Sequence, residues 1–154
     1  MSYGLDMSTN DLIAPDPESI VRFIHETYPA TAVLESGGTW FFSLDPERHF
    51  PNYATIVTNN DYDDGSDLDR PGVYRLNLGL GRSTFERLVG DALDPAAPPD
   101  YTALDRLLPH PTYAAQLWIS ILNPSAATFR DIVIPLIAEA YDRLAAQRAR
   151  HGKS

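Results

Sequence analysis

Apolar side chains recur at helical spacing near both ends of this chain and at strand spacing between them. Ile20, Val21, Ile24 and Tyr28 share one helical face. Asp16 stands where an N-cap belongs, Pro17 suits the first helical position, Glu18 complements the helix dipole, and Pro29 stops the segment. Toward the C-terminus, Ile132, Val133, Leu136, Ile137, Ala140, Tyr141 and Leu144 make a broad apolar stripe. Ser125 is placed to cap that helix. Pro135 should kink it or mark where its regular part begins, and Arg143, Arg148 and Arg150 favour the negative end of its dipole.

Between these helices the pattern becomes strand-like. Thr31 to Glu35 and Thr39 to Leu44 flank the hairpin pair Gly37-Gly38, and Asp45-Pro46-Glu47 breaks the run. Tyr53 to Thr58 and Val73 to Leu80 follow as strands, with an acidic loop over residues 59–71 between them. Ser83 and Glu86 have the form of a capping box opening a short helix through Val89. A Pro-, Ala- and Asp-rich connector covers 91–100, a helical turn runs from Tyr101 to Leu108, and Gln116 to Leu122 forms the last strand. The expected fold is α+β: an antiparallel sheet of about four to five strands, packed on one face by the first and last helices. Residues 1–15 read as a flexible lead-in, 16–148 as one α+β domain and 149–154 as a tail.

Composition narrows this picture by exclusion. With 44% apolar and 21% charged residues the chain has the make-up of a globular protein. It has no cysteine, which excludes disulfides, thiolate nucleophiles and Cys-ligated metals and suits a reducing compartment. No basic region followed by an apolar run opens the chain, and no apolar stretch approaches the ~20 residues of a membrane span. A cytoplasmic protein without membrane contact is expected. The net charge of −9 is uneven: residues 1–71 hold thirteen acids and three Arg, whereas 72–154 hold eight acids and nine bases. Polyanions are bound by neutralising phosphates with Lys and Arg, so this balance disfavours nucleic acid and fits cations or a basic protein surface better.

Four features invite a chemical reading. Asp61, Asp63, Asp64, Asp67 and Asp69 crowd one loop, and hard cations such as Ca²⁺ take clustered carboxylates. Aligning Gly65 with the EF-hand glycine, however, puts Tyr62 at the third position and Pro71 where a bidentate Glu belongs. A solvated turn in which Asp and Asn side chains hold local backbone bonds is the plainer reading, and cation binding the alternative. The stretch L-G-L-G-R-S-T-F could hold an anion at a helix start through Gly79, Gly81, the amides near Ser83 and Arg82. It lacks a third glycine and a Walker Lys, so a tight strand-to-helix turn explains it as well.

Of His25, His49, His110 and His151, only His110, held between Pro109 and Pro111, suggests a base or a ligand; the structural counterpart is a buried loop anchor. Trp40, Phe41, Phe42 and Trp118 either line a pocket or fill the core. There is no G-x-S-x-G elbow.

Three stretches carry a resemblance: F-P-N-Y-A-T-I-V-T-N-N-D-Y-D with D-L-D-R-P-G-V-Y-R-L-N-L-G, then L-P-H-P-T-Y-A-A-Q-L-W-I-S-I-L-N-P, then P-L-I-A-E-A-Y. Across residues 17–146 the chain resembles a bacterial family defined as a domain of unknown function. More distantly, the order of helix, strand meander, His-to-Trp run, strand and helix is similar to the MmcQ/YjbR-like proteins. That similarity implies a compact α/β fold and DNA binding, with His110 to Trp118 matching the family's His-to-Trp run. Here that run lacks the family's basic residues, which counts against DNA binding together with the acidic N-terminal half.

The reading that results is a non-enzymatic binding or regulatory domain for a ligand or protein partner, compatible with a homodimer and calling for no cofactor. It would use a concave sheet face or the acidic loop. The alternative is a small-molecule or cation-assisted enzyme using His110, Arg75 and the loop from Asp61 to Asp69.

Overall fold

Helix α1, Pro17–Thr27, starts where the sequence places it. Asp16 accepts the Ser19 amide at 2.8 Å, and the Ser19 hydroxyl accepts the Asp16 amide at 2.9 Å. This reciprocal box occupies amides that the first helical turn would otherwise leave open. The computed structural model describes residues 13–61 and 65–152. Most of the lead-in, Asp63 and Asp64 of the acidic loop, and the last two residues lie outside the described residues.

After α1 come β1 (Ala32–Ser36), β2 (Thr39–Ser43), β3 (Asn52–Val57), β4 (Arg75–Gly79), α2 (Arg82–Val89), β5 (Leu107–Pro109) and β6 (Trp118–Leu122). The strands form one open antiparallel sheet in the order β1-β2-β3-β4-β6-β5. Six strands replace the four to five expected, and the added one is β5. It overlaps the end of the helical turn that the sequence suggests from Tyr101 to Leu108. Three residues are too few to display a period, and Pro109, lacking an N–H, is tolerated because β5 is an edge strand.

The chain closes with a helical turn, Ala126–Thr128, a π-helical segment, Phe129–Val133, and helix α3, Ile134–Gly152. Ser125 caps this run by accepting the Thr128 amide at 3.1 Å. Pro135 has no N–H to give, and the wider π turn just before it absorbs the mismatch. That turn also shifts the helical phase, so Ile132 leaves the apolar stripe and is 41% exposed, while Val133, Leu136, Ile137, Ala140 and Leu144 stay buried.

All three helices lie against one face of the sheet. There Ile20 and Ile24 of α1, Phe85 and Val89 of α2 and the α3 stripe bury Phe42, Ala54, Ile56, Leu76, Leu78, Ile119 and Ile121. Tyr28 stacks on Tyr141 at 4.4 Å, and Tyr53 meets Tyr141 edge-on at 5.5 Å, which ties the end of α1 and the sheet to α3. Among the described residues no helix is long and apolar enough to cross a membrane. The opposite face is only partly covered. Val57, Leu68, Leu108 and Leu122 form a small apolar cluster at one end of it, and the rest is a cleft.

Candidate functional site

Period-two alternation decides which side chains reach that second face. Thr39 and Phe41 of β2, Thr55 and Val57 of β3, Arg75 and Asn77 of β4, and Trp118 of β6 line a cleft of about 480 Å³. The register sets Phe41 opposite Thr55, Thr55 opposite Asn77 and Asn77 opposite Ser120, which makes a polar row across three strands. Asn77 is the hub of that row. Its Oδ1 accepts from Ser120 Oγ at 2.7 Å and from Arg75 Nε at 2.9 Å, and its Nδ2 donates to Thr55 Oγ1 at 2.9 Å. Both lone pairs of the amide oxygen are therefore used.

Arg75 is 1% exposed, and its Nη1 donates to the buried Ser66 Oγ at 2.9 Å, fastening the acidic loop to the cleft floor. Arg70, within the same loop, donates to its Ser66 and Asp67 carbonyls and ties it to the Thr102 carbonyl of the later connector.

His110, 4% exposed, also lines the cleft. Its Nδ1 accepts the amides of Thr112 and Tyr113, both at 3.0 Å, so the neutral ring carries its proton on Nε2. That arrangement fixes the turn presenting Tyr113, whose ring lies 4.9 Å from the imidazole. Arg75 and His110, far apart in sequence, thus share one cavity. Phe50 and Tyr113, both largely exposed, also line it, along with Pro51, Asn52 and Gln116.

Two of the lining groups are unusual. Thr39 Oγ1 and Asn52 Oδ1 are buried and have no hydrogen-bond partner. Thr39 is 2% exposed. His49 Nδ1, in the preceding turn, is a third such atom, but His49 does not line the cleft. Asn52 owes its direction to a bulge. The β2–β3 register slips between Phe42 and Ser43, so Phe42 faces Ala54 while Ser43 faces Asn52. The slip sends Tyr53 into the helix-side core and turns Asn52 to the cleft, where unbroken alternation would have aimed it at the helices.

The other candidates fall elsewhere. Asp61, Asp67 and Asp69 take part in local turns: the Asp61 amide donates to Asn59 Oδ1 at 3.0 Å, the Asn60 amide to Asp69 Oδ1 at 3.4 Å, and Asp67 pairs with Arg70 at 3.5 Å. Among the described residues no group of three or more His, Cys, Asp or Glu could hold a metal ion. His25 is exposed.

At the Gly-rich turn, α2 begins at Arg82 with Gly81 as N-cap and no side-chain cap, so Ser83 does not open it. The place considered for an external anion is taken by Glu139 of α3, whose carboxylate accepts the Gly81 amide at 2.9 Å and the Thr84 hydroxyl at 2.8 Å. Gly79 has a packing task instead: a Cβ there would stand 3.0 Å from the Trp118 ring. Its absence lets the indole pack closely against β4.

Trp118 and Phe41 were legible as pocket candidates, whereas Thr39, Asn52, Thr55, Asn77, Ser120, Phe50 and Tyr113 were not singled out. The available signal was polar residues at alternate positions of otherwise apolar strands, R-L-N-L-G and W-I-S-I-L.

These features define an α+β protein whose open six-stranded antiparallel sheet is covered by helices on one face and hollowed on the other. The chain belongs to the family of unknown function DUF6194, whose sequence profile matches residues 15–153. No curated protein and no solved structure matches it.

Proposed function

We propose that this protein is a non-enzymatic binding domain that holds a small organic molecule in the cleft of its uncovered sheet face. The observation that carries the reading is the cleft's make-up: about 480 Å³, walled by Phe41, Phe50, Tyr113 and Trp118, with a few polar groups set among them. Ligand sites are typically concave, mainly apolar and provided with a small number of placed polar atoms, at volumes of roughly 300–1,000 Å³. Arg75, Asn77 and Ser120 serve as a cross-linked floor, and His110 holds the turn that brings Tyr113 to the cleft.

A binding role is favoured over catalysis because the polar groups of the floor are bonded to one another, and His110 Nδ1 to backbone amides. The acidic surface speaks for an organic ligand rather than DNA, so the likeness to MmcQ/YjbR-like proteins enters this reading only as a suggestion about shape. A cytoplasmic bacterial setting suits a chain without cysteine.

The test uses Trp118 as reporter. The chain has two Trp, and Trp40→Phe leaves Trp118 alone. Flat aromatic compounds are expected to raise the melting temperature and quench Trp118 emission. Thr55→Phe, which fills the middle of the cleft, should weaken both effects at least about tenfold. Binding that survives Thr55→Phe, or no binding across a broad aromatic panel, rejects the reading.

A further inference from the structure

We infer that the cleft selects its ligand at two ends: a flat apolar body with an N–H or O–H donor at one extremity and a second hydrogen-bonding group at the other. This rests on the cleft being the binding site, and it adds what that site would recognise. Buried polar atoms in folded proteins are almost always paired, because desolvating an unpaired one is costly. Thr39 Oγ1 and Asn52 Oδ1 break that rule, and both residues line the same cleft. Neighbouring groups show that the fold can satisfy polar atoms here: Thr55, Asn77 and Ser120 are joined by bonds of 2.7 to 2.9 Å.

The two stranded atoms differ in what they accept. An amide oxygen takes only a donor, so the Asn52 end calls for an N–H or O–H, whereas the Thr39 hydroxyl serves a donor or an acceptor. Their spacing follows from the strands. Asn52 stands opposite Ser43, four residues along β2 from Thr39, a separation of about 13 Å at the rise of a strand. Phe41 and Thr55 pair across β2 and β3 between these ends, and Trp118 also lines the cleft, so the intervening stretch suits an apolar ring system. The bulge at Tyr53 is what brings the Asn52 end into play.

Three probes separate the possibilities: biphenyl with a para hydroxyl on each ring, biphenyl with one such hydroxyl, and the dihydroxy compound with both oxygens methylated. Binding is read from Trp118 emission in the Trp40→Phe protein. The dihydroxy compound should bind best, and the single hydroxyl and the double ether each about tenfold more weakly. The single hydroxyl leaves one of the two ends unpaired, and the ether oxygens can still accept from Thr39 but give Asn52 Oδ1 no donor. In Thr39→Val/Asn52→Leu the three affinities should converge to within about threefold.

Equal affinities for the unmodified cleft, or a ranking that persists in the double variant, would overturn two-ended selection while leaving the cleft as the binding site. If none of the three binds, two-ended selection fails outright, and binding of other flat aromatics then decides the site. Should the double variant not fold, the ranking in the Trp40→Phe protein decides alone.

Discussion

Thr39 opens β2 opposite Val57 and lines the cleft, with its hydroxyl buried and unpartnered. A hydroxyl that gave up water without gaining a partner weakens the native state by roughly 1–3 kcal/mol. Thr39→Val keeps the shape and removes that group. The substitution should therefore stabilise the protein by about 1 kcal/mol, a rise in melting temperature of about 2–4 °C for a domain of this size. A differential scanning calorimetry trace that shows no rise would mean the hydroxyl is not stranded.

At this scale the sequence was only partly legible. Arg75, Asn77 and Ser120 announce themselves as polar positions in apolar strands, although which sheet face they share depends on pairing across 43 positions of sequence. Asn52 could not be placed at all, because its direction depends on a slip in register that local pattern does not encode. His110 carried a signal through its flanking prolines, and its bonds to the Thr112 and Tyr113 amides are the local kind that such a rigid turn allows.

Elements were more legible where a period had room to repeat. Both long helices follow from apolar spacing and from side-chain caps at Asp16 and Ser125, while β5 spans three residues and shows no period. Helix α2 is the instructive case. Its capping group, Glu139, stands 58 residues from Gly81 and belongs to another helix. The carboxylate takes the amide at the positive end of α2 and bonds Thr84 as well. Glu139→Ala removes both bonds and should cost about 1–2 kcal/mol in urea denaturation. Glu139→Gln, which keeps one acceptor oxygen, should cost less. Equal losses for the two would show that a single retained acceptor oxygen contributes nothing, and that the carboxylate acts only as a charged pair of acceptors.

Across the whole molecule, buried phenols tie the layers together. Tyr53 bonds Thr31 at 2.7 Å under the helices, and Tyr74 reaches the Pro15 carbonyl at 3.0 Å ahead of α1. Burial, the main cause in both, raises each phenol's pKa well above the ordinary tyrosine value. The native state thus keeps these protons longer than the unfolded chain does. Their contribution is complete below about pH 10 and declines above it, by up to about 1.4 kcal/mol per pH unit for each phenol. Ultraviolet titration should find these two tyrosines silent until the fold gives way, with unfolding and late ionisation coinciding. Smooth ionisation of all tyrosines near pH 10 with the fold intact would contradict this.

The strand order has a bearing on how the protein is made. Residues 39–57 and 75–79 leave the ribosome well before Ser120, yet β6 inserts between β4 and β5 rather than adding at the rim. Until that late insertion, β4 presents an open backbone edge and the hollow has no far wall. A chain ending before Trp118 is consequently expected to be sticky toward other strands and to lack a finished cleft.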